Sequence, residues 1–478
     1  MQEFYKVPFS LSFEHACCKY RIILWLMPAI ATTALGSKAI FLRFKSYCLH
    51  FRYKMTKEWS MSITTSLSGN EIYCLAKKNY TPGSIVVGNS VHSLGIIGSV
   101  GSGFKAMLGG ELQQITTLIE EGRETAYKRM LEEATTNSVT GITGVTSELI
   151  IHGSNIEFLS IGSGINASSA ASKEKFSTSD DGQELYAQLD AGYKPICFSF
   201  GNVAYSMGVG RGLLGALKTF GRGEIKEYSD IFNKTRHLAL SRITAHAKQY
   251  KANAVLGIKT TVLPFGGVSE MLMIGTASYN PQLKLTIGSV DPDDNMIIKD
   301  NIATSDMTNI EMWNMASIGY APMKLLLGTS VYSLGLVGGI TSTLKSFFRG
   351  EINELTRMIY AAREHAIGLI TDEAKAIGAD DIVGVKTYVY QLGNGLVEFL
   401  AIGTAVKKSS QIKTESEQLI PQAIVVDKET FYDSTNRDSL TVDVNRGAKP
   451  INSGSMAFIF PLLIFIFILI SFLFRLFK

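Results

Sequence analysis

A lysine, a glutamate six residues on and an arginine twelve residues beyond it recur three times in this chain: Lys105, Glu111, Arg123; Lys218, Glu224, Arg236; Lys345, Glu351, Arg363. Residues of these types could bind an anion or pair with carboxylates. The lysines precede a predicted helix, whose unpaired N–H groups and a nearby cation would make an anion site; the plainer reading is a solvated side chain. The glutamates open that helix, where its dipole favours a carboxylate by about 0.3–1 kcal/mol. Each arginine falls, at about 100° per residue, about 60° from the centre of the apolar face. From that border a long stem covers apolar surface while its head reaches water or a carboxylate. A structural or interface ion pair is the expectation, with anion binding or an interface role as the candidate function of these lysines and arginines.

Two sets of aromatics recur in the same frame. Tyr80, Tyr193 and Tyr320 stand two residues before a proline, and Tyr73, Tyr186 and Trp313 lie upstream of them. These are candidate packing residues, the first set at the start of a strand and the second anchoring a strand against the next copy. Stacking on a ligand is the alternative. No serine, cysteine or histidine nucleophile recurs beside a base, no paired carboxylates recur, and neither a dinucleotide fingerprint nor a GxxxxGK[ST] loop occurs. The chain therefore reads as no enzyme, with no catalytic residues and no cofactor.

A soft metal needs thiolates or imidazoles, and none recurs in register. His92 is replaced by Tyr205 and Tyr332, His237 by Glu124 and Glu364, and His365 by Thr125 and Leu238. No metal ligands are assigned; a site made between chains by His92 or His237 stays open. Five cysteines show no disulfide or zinc spacing.

The elements that must position these residues are themselves repeated. From the prolines Pro82, Pro195 and Pro322, glycines follow in step at Gly88, Gly201 and Gly328, and again at Gly144, Gly257 and Gly384. Branched apolar runs after each proline predict a buried strand. A helix is predicted from the glycine-glutamate pair onward, with Ile352, Leu355, Met358, Ile359, Ala362, Ala366, Ile370 and Ala374 on one face. Two more strands follow, joined in the third copy by Gly393-Asn394-Gly395, a strong hairpin signal. Each copy is thus β-α-β-β, and the Glu-x-aromatic segment before it is expected to add a short strand. The fold class is α+β, a two-layer domain repeated over 71–165, 184–278 and 311–406.

The third copy, through SLGLVGGI, AAREHA, AKAIGADDIVGVKTYV and IGTAVK, resembles the YbjQ-like family, which carries a heavy-metal-binding label. GRETA and ITGV in the first copy and TRHLA, ANAVLGIKT and MIGTAS in the second extend the likeness. The resemblance implies one helix on an antiparallel sheet and assembly into a homo-oligomeric ring, typically of five domains. Family members are commonly single domains, so the triplication is a departure. Three domains per chain fit either five chains stacking three rings or another ring, such as six domains from two chains.

The rest of the chain bounds where this happens. With 46 basic and 42 acidic residues the net charge is +4, and no basic stripe marks a nucleic-acid partner. Met456 to Phe474 carries no charge over nineteen residues, about 28 Å as a helix, which predicts a single membrane-spanning segment. Residues 1–70 precede the first repeat and read as an extension, a mis-assigned start before Met55, or a signal. The first two readings leave the repeats in the cytoplasm, the last exports them. Stretches 166–183, 279–310 and 407–455 read as flexible linkers. The expected function is that of a membrane-anchored, non-enzymatic, oligomerising scaffold. Metal or small-ligand sequestration at domain junctions of a ring is the alternative, and the ligand is unknown.

Overall fold

The computed structural model describes residues 63–93, 110–152, 155–168, 174–206, 223–265, 268–283, 287–290, 297–300, 302–333, 353–393 and 396–425. The first repeat runs α1 (Gly69–Lys77), β1 (Tyr80–Ser93), β2 (Gly110–Glu111), α2 (Gln113–Thr136), β3 (Gly141–His152) and β4 (Asn155–Ala167). β5 (Phe176–Ser177) leads into the second: α3 (Gly182–Asp190), β6 (Lys194–Ser206), β7 (Gly223–Glu224), α4 (Lys226–Gln249), β8 (Ala254–Phe265) and β9 (Val268–Tyr279). β10 (Ile287–Val290), β11 (Ile297–Asp300) and β12 (Ala303–Thr304) precede the third: α5 (Asn309–Ser317), β13 (Tyr320–Ser333), α6 (Asn353–Ala376), β14 (Asp381–Gly393) and β15 (Leu396–Lys408). α7 (Pro421–Ile424) follows.

The mixed α+β class is as expected, with three corrections to the reading of the elements. The Glu-x-aromatic segments form helices, not strands. Ser68 and Thr308 each accept the N–H three residues on, while Glu71 and Glu311 reach back to the cap's own N–H; Asp181 caps α3 through the N–H groups of Gln183 and Glu184. Such capping boxes satisfy the first donors of a helix and outweigh the aromatic residues' strand preference. Secondly, Gly110-Glu111 and Gly223-Glu224 are two-residue strands, and α2 and α4 begin after the caps Leu112 and Ile225. Thirdly, the described parts of the expected linkers are ordered: β5 pairs parallel with β3, and β12 with β8. The lysines Lys105, Lys218 and Lys345, Glu351, residues 1–62 and the apolar segment 456–474 lie outside the described residues. Among the described residues no helix is long and apolar enough to cross a membrane.

Three sheets carry the fold, in the orders β1-β4-β3-β5, β12-β8-β9-β6-β2 and β14-β15-β13-β7. In each, the strand after the long helix slips register at one glycine: Gly144, Gly257 and Gly384 have φ of 65°, 60° and 64°. A side chain there would be strained, which is why glycine recurs. The long helices lie between sheets. α2 packs on β1 and β4 of its own repeat and on β6 of the next; α4 packs on β6 and β9 and on β13. The cores are therefore shared. Val86, Tyr127 and Met130 cluster with Phe198, Phe200 and Leu272, and Ile231, Phe232 and Leu240 with Leu325, Leu327 and Val331.

Candidate functional site

The recurring charges meet at the seams between repeats. Arg123, on α2, is completely buried. Its Nε and Nη2 donate to Oε1 and Oε2 of Glu270 on β9 at 3.0 and 2.7 Å, and its Nη1 donates to Ser147 O and Oγ, both at 2.9 Å. Glu270 is also completely buried. A two-point guanidinium–carboxylate pair fixes both distance and orientation. At the next seam Arg236, on α4, sets Nη2 against Glu398 Oε1 of β15 and donates from Nη1 to Thr329 Oγ1 of β13. That contact is an ion pair without hydrogen-bond alignment, and Arg236 Nε has no hydrogen-bond partner. Each of the two seams thus holds a buried arginine–glutamate ion pair. Arg363, the third, is exposed.

Backbone pairing runs alongside. β2 of the first repeat adds to β6 of the second, with Glu111 opposite Tyr205, and β7 adds to β13, with Glu224 opposite Tyr332. Leu112 N donates to Ala204 O at 2.8 Å and Ala204 N to Thr116 Oγ1 at 2.9 Å. The second seam repeats this with Ile225 N to Val331 O at 2.8 Å and Val331 N to Ser229 Oγ at 2.9 Å. Each repeat thus augments the next one's sheet. Glu111 and Glu224 lie before the helix rather than in it: Glu111 accepts from Arg242 of the following repeat at 2.7 Å, while Glu224 accepts from Ser229 Oγ in the first turn of α4 at 3.1 Å and faces His365 of the following repeat at 3.4 Å.

The short helices form a second band. Glu71 Oε1 accepts from Gly182 N at the start of α3 at 3.0 Å, and Glu184 Oε2 accepts from Asn309 N at the start of α5. Burial, with Asp180 and Asp181 close by, pushes the Glu184 carboxyl up to about 7. Asp180, raised by burial, accepts from Thr178 and Thr276 at 2.7 and 2.8 Å. Asp190 joins all three repeats: its carboxylate accepts from Lys78 Nζ, Trp313 Nε1 and Ser416 Oγ, each at 2.8 Å. Against burial, which raises it, those partners hold Asp190 below the usual carboxylate range.

Of the six recurring aromatics, five are buried or half-buried. Tyr80 and Tyr193 are core residues and Tyr320 is half-buried; Tyr186 and Trp313 are buried, while Tyr73 is exposed under Lys77. The acids opposite the arginines were not singled out from the sequence, although a signal exists: Glu157, Glu270 and Glu398 each stand five residues before a recurring glycine, Gly162, Gly275 and Gly403. Asp190 carries no such signal, since its partners come from the first and third repeats and from the segment after β15.

The donor set for a soft metal does not fit. Among the described residues no three of His, Cys, Asp or Glu are placed to hold an ion. Burial pushes the Cys74 thiol up to about 11 and the Cys197 thiol to about 12, the opposite of what a thiolate ligand needs. His237 is turned to Asn233 O and Glu373, and His92 stands edge-on to Phe158.

A sequence profile of the YbjQ family, described as "Putative heavy-metal-binding", matches residues 64–163, 193–280 and 315–409. The encapsulin nanocompartment protein Rv1762c of Mycobacterium tuberculosis is 28% identical over 229 residues, 45% of this chain and 85% of that protein. A UPF0145 protein of Methanoregula boonei is 39% identical over 85 residues, covering 18% of this chain and 71% of its own length. One from Clostridium perfringens is 38% identical over 82 residues, 17% and 77% of the two chains. No solved structure matches the chain.

Proposed function

The chain belongs to the YbjQ family, matched in three tandem regions, and from that premise we propose that it is a non-catalytic assembly protein that scaffolds a partner at a membrane surface. The observation that carries this is the pair of buried seams, Arg123 to Glu270 and Arg236 to Glu398, which join the first repeat to the second and the second to the third. Arg123 and Arg236, two of the recurring charges, hold neighbouring domains together. A relative named for an encapsulin nanocompartment supports an assembly role. The uncharged segment 456–474 supports anchoring. Sequestration of a metal at the junctions has less behind it, because among the described residues no three of His, Cys, Asp or Glu are placed to hold an ion.

Membrane extraction and native mass spectrometry test the reading together. The full chain is expected to stay with membranes through alkaline carbonate and to be released when 456–474 is deleted. In detergent it is expected to run as several copies without added mass. Recovery of the intact chain among soluble proteins would remove the membrane part. A stoichiometric bound metal or small molecule would put sequestration first.

A further inference from the structure

The first two repeats are joined by basic side chains whose charge does not change near neutral pH, the second and third partly by side chains whose charge does. At the first junction Arg242 Nη2 donates to Glu111 Oε1 at 2.7 Å, beside the aligned pair of Arg123 and Glu270. An arginine stays protonated at any pH a protein meets. At the second junction the register of Arg242 is taken by Leu369, which has no charge to offer Glu224. His365 of α6 faces Glu224 instead, Nδ1 to Oε1 at 3.4 Å. Histidine is the side chain whose ordinary charge change falls between about pH 5 and 8.

A second histidine crosses the same junction in the opposite direction. His237 of α4 donates from Nδ1 to Asn233 O at 2.8 Å and sets Nε2 3.7 Å from Glu373 Oε2 on α6. Both ring nitrogens thus face oxygens that only accept, an arrangement that suits the doubly protonated ring. Lys324 Nζ of β13 holds the other oxygen of Glu373 at 2.8 Å. Burial raises the Glu373 carboxyl, yet His237 and Lys324 bring it down to about 2, so it stays charged wherever an imidazole titrates. At the first junction the same two helix positions hold Glu124 and His246, acid and imidazole exchanged. There the imidazole stays out of the charge pairing. Its Nδ1 lies 2.9 Å from Ser199 Oγ, its ring packs on Phe200 and Tyr250, and burial, only partly countered by Glu124, holds it below its usual range. Arg236 adds less reserve at the second junction than Arg123 at the first, since its Nε has no partner.

We propose that the junction between the second and third repeats is a pH-operated hinge, closed while His237 and His365 carry their protons and loosened when they lose them, with the first junction shut in both states. From the facing elements the two rings meet Glu224 on β7, Glu373 on α6 and, through Glu373, Lys324 on β13; Tyr332 and Ser229 stand against Glu224. On their own helices Glu364 adjoins His365, and Lys234 lies one turn before His237. The sign follows from the acceptors. The closed junction sets a carboxylate against each ring and binds protons more tightly than the open one, so closure is complete at about pH 5.5 and lost as pH rises toward about 8. Glu184, which accepts from Asn309 N across the same junction and is raised by burial, acts with the same sign.

Amide hydrogen exchange of the full chain in detergent, divided by the intrinsic rate at each pH, tests the hinge. A Glu184→Gln background removes that other titrating group. The reporters are amides bonded across the seams: Ile225, Thr329 and Val331 at the second, Leu112 and Ala204 at the first. Between about pH 5.5 and 8 the second set is expected to become about fivefold faster while the first stays level. The double variant His237→Arg, His365→Arg supplies permanent charge and is expected to keep the second set protected at the alkaline end. The double variant His237→Gln, His365→Gln is expected to expose it already at the acid end. An equal response to pH at the two junctions overturns the hinge, and so does a second-junction response that survives in the arginine variant. Undiminished protection of the glutamine variant at the acid end would likewise show that the histidines do not close it.

Discussion

Arg123 and Glu270 show how much one residue can hold. Both side chains are wholly buried, and each neutralises the other. Removing one partner leaves a charge in the core, so Arg123→Ala is expected to cost about 3–5 kcal/mol in urea denaturation. Replacing both with apolar residues of similar volume is expected to be close to neutral, because the desolvation cost disappears along with the attraction. Equal losses in the single and double variants would count against a buried pair. Glu184 gives the seam a pH dependence. Burial raises its carboxyl from 4.5 to about 7 in the folded chain. The folded state therefore binds the proton more tightly than the unfolded state, and stability from this group is complete below pH 4.5 and lost as pH rises to about 7. Glu184→Gln keeps the acceptor for Asn309 N and is expected to flatten stability between those values; an unchanged slope would assign it to another group.

At the level of elements, the long helices differ from an ordinary two-layer domain because α2 and α4 are covered on two sides. The sequence pattern marks one apolar face, and the second combines large apolar residues packed on the neighbouring sheet, such as Tyr127 and Phe232, with hydroxyls that hydrogen-bond it, Thr116 and Ser229. Close approach on the first face is set by strand glycines. A Cβ on Gly88, Gly201 or Gly328 would run into the helix backbone at Ala126, Ala239 and Ala366. Gly201→Ala is expected to lose about 1–3 kcal/mol by forcing α4 off its sheet. Gly368→Ala, on α6 with nothing within 4 Å of an added Cβ, is expected to gain about 0.5–1 kcal/mol from helix propensity. Chemical denaturation of the two variants checks the contrast; a loss at both would mean that helix propensity is not what limits α6.

For the whole molecule, the notable contact is the return of the segment after β15 to the first two repeats. Glu415 N donates to Asp190 O at 2.7 Å, Glu415 pairs with Lys78 at 2.8 Å, and α7 packs on α1 and α3. Asp190→Ala is expected to release residues 409–425, seen as faster amide hydrogen exchange there and in α1. Unchanged exchange would show that apolar contacts of Ala423 with Cys74 and Tyr186 hold it without the carboxylate.

The threefold repeat, the strand-helix-hairpin order and the small packing faces were legible in the residues alone, because local propensity and close packing repeat with the chain. Gly144, Gly257 and Gly384 recur for a backbone angle, and Arg123, Arg236 and Arg363 for a charge. Both requirements are local enough to leave a spacing. What lay opposite those arginines was decided only by the tertiary structure. Glu270 is 147 residues from Arg123, and nothing in a helical period says which sheet will cover a helix's far side. The short helices were misread for a related reason: their aromatics favour a strand, but the capping groups and the neighbouring repeat fix them as helices. Asp190 was invisible in the sequence because its role exists only where three repeats and the segment after them converge.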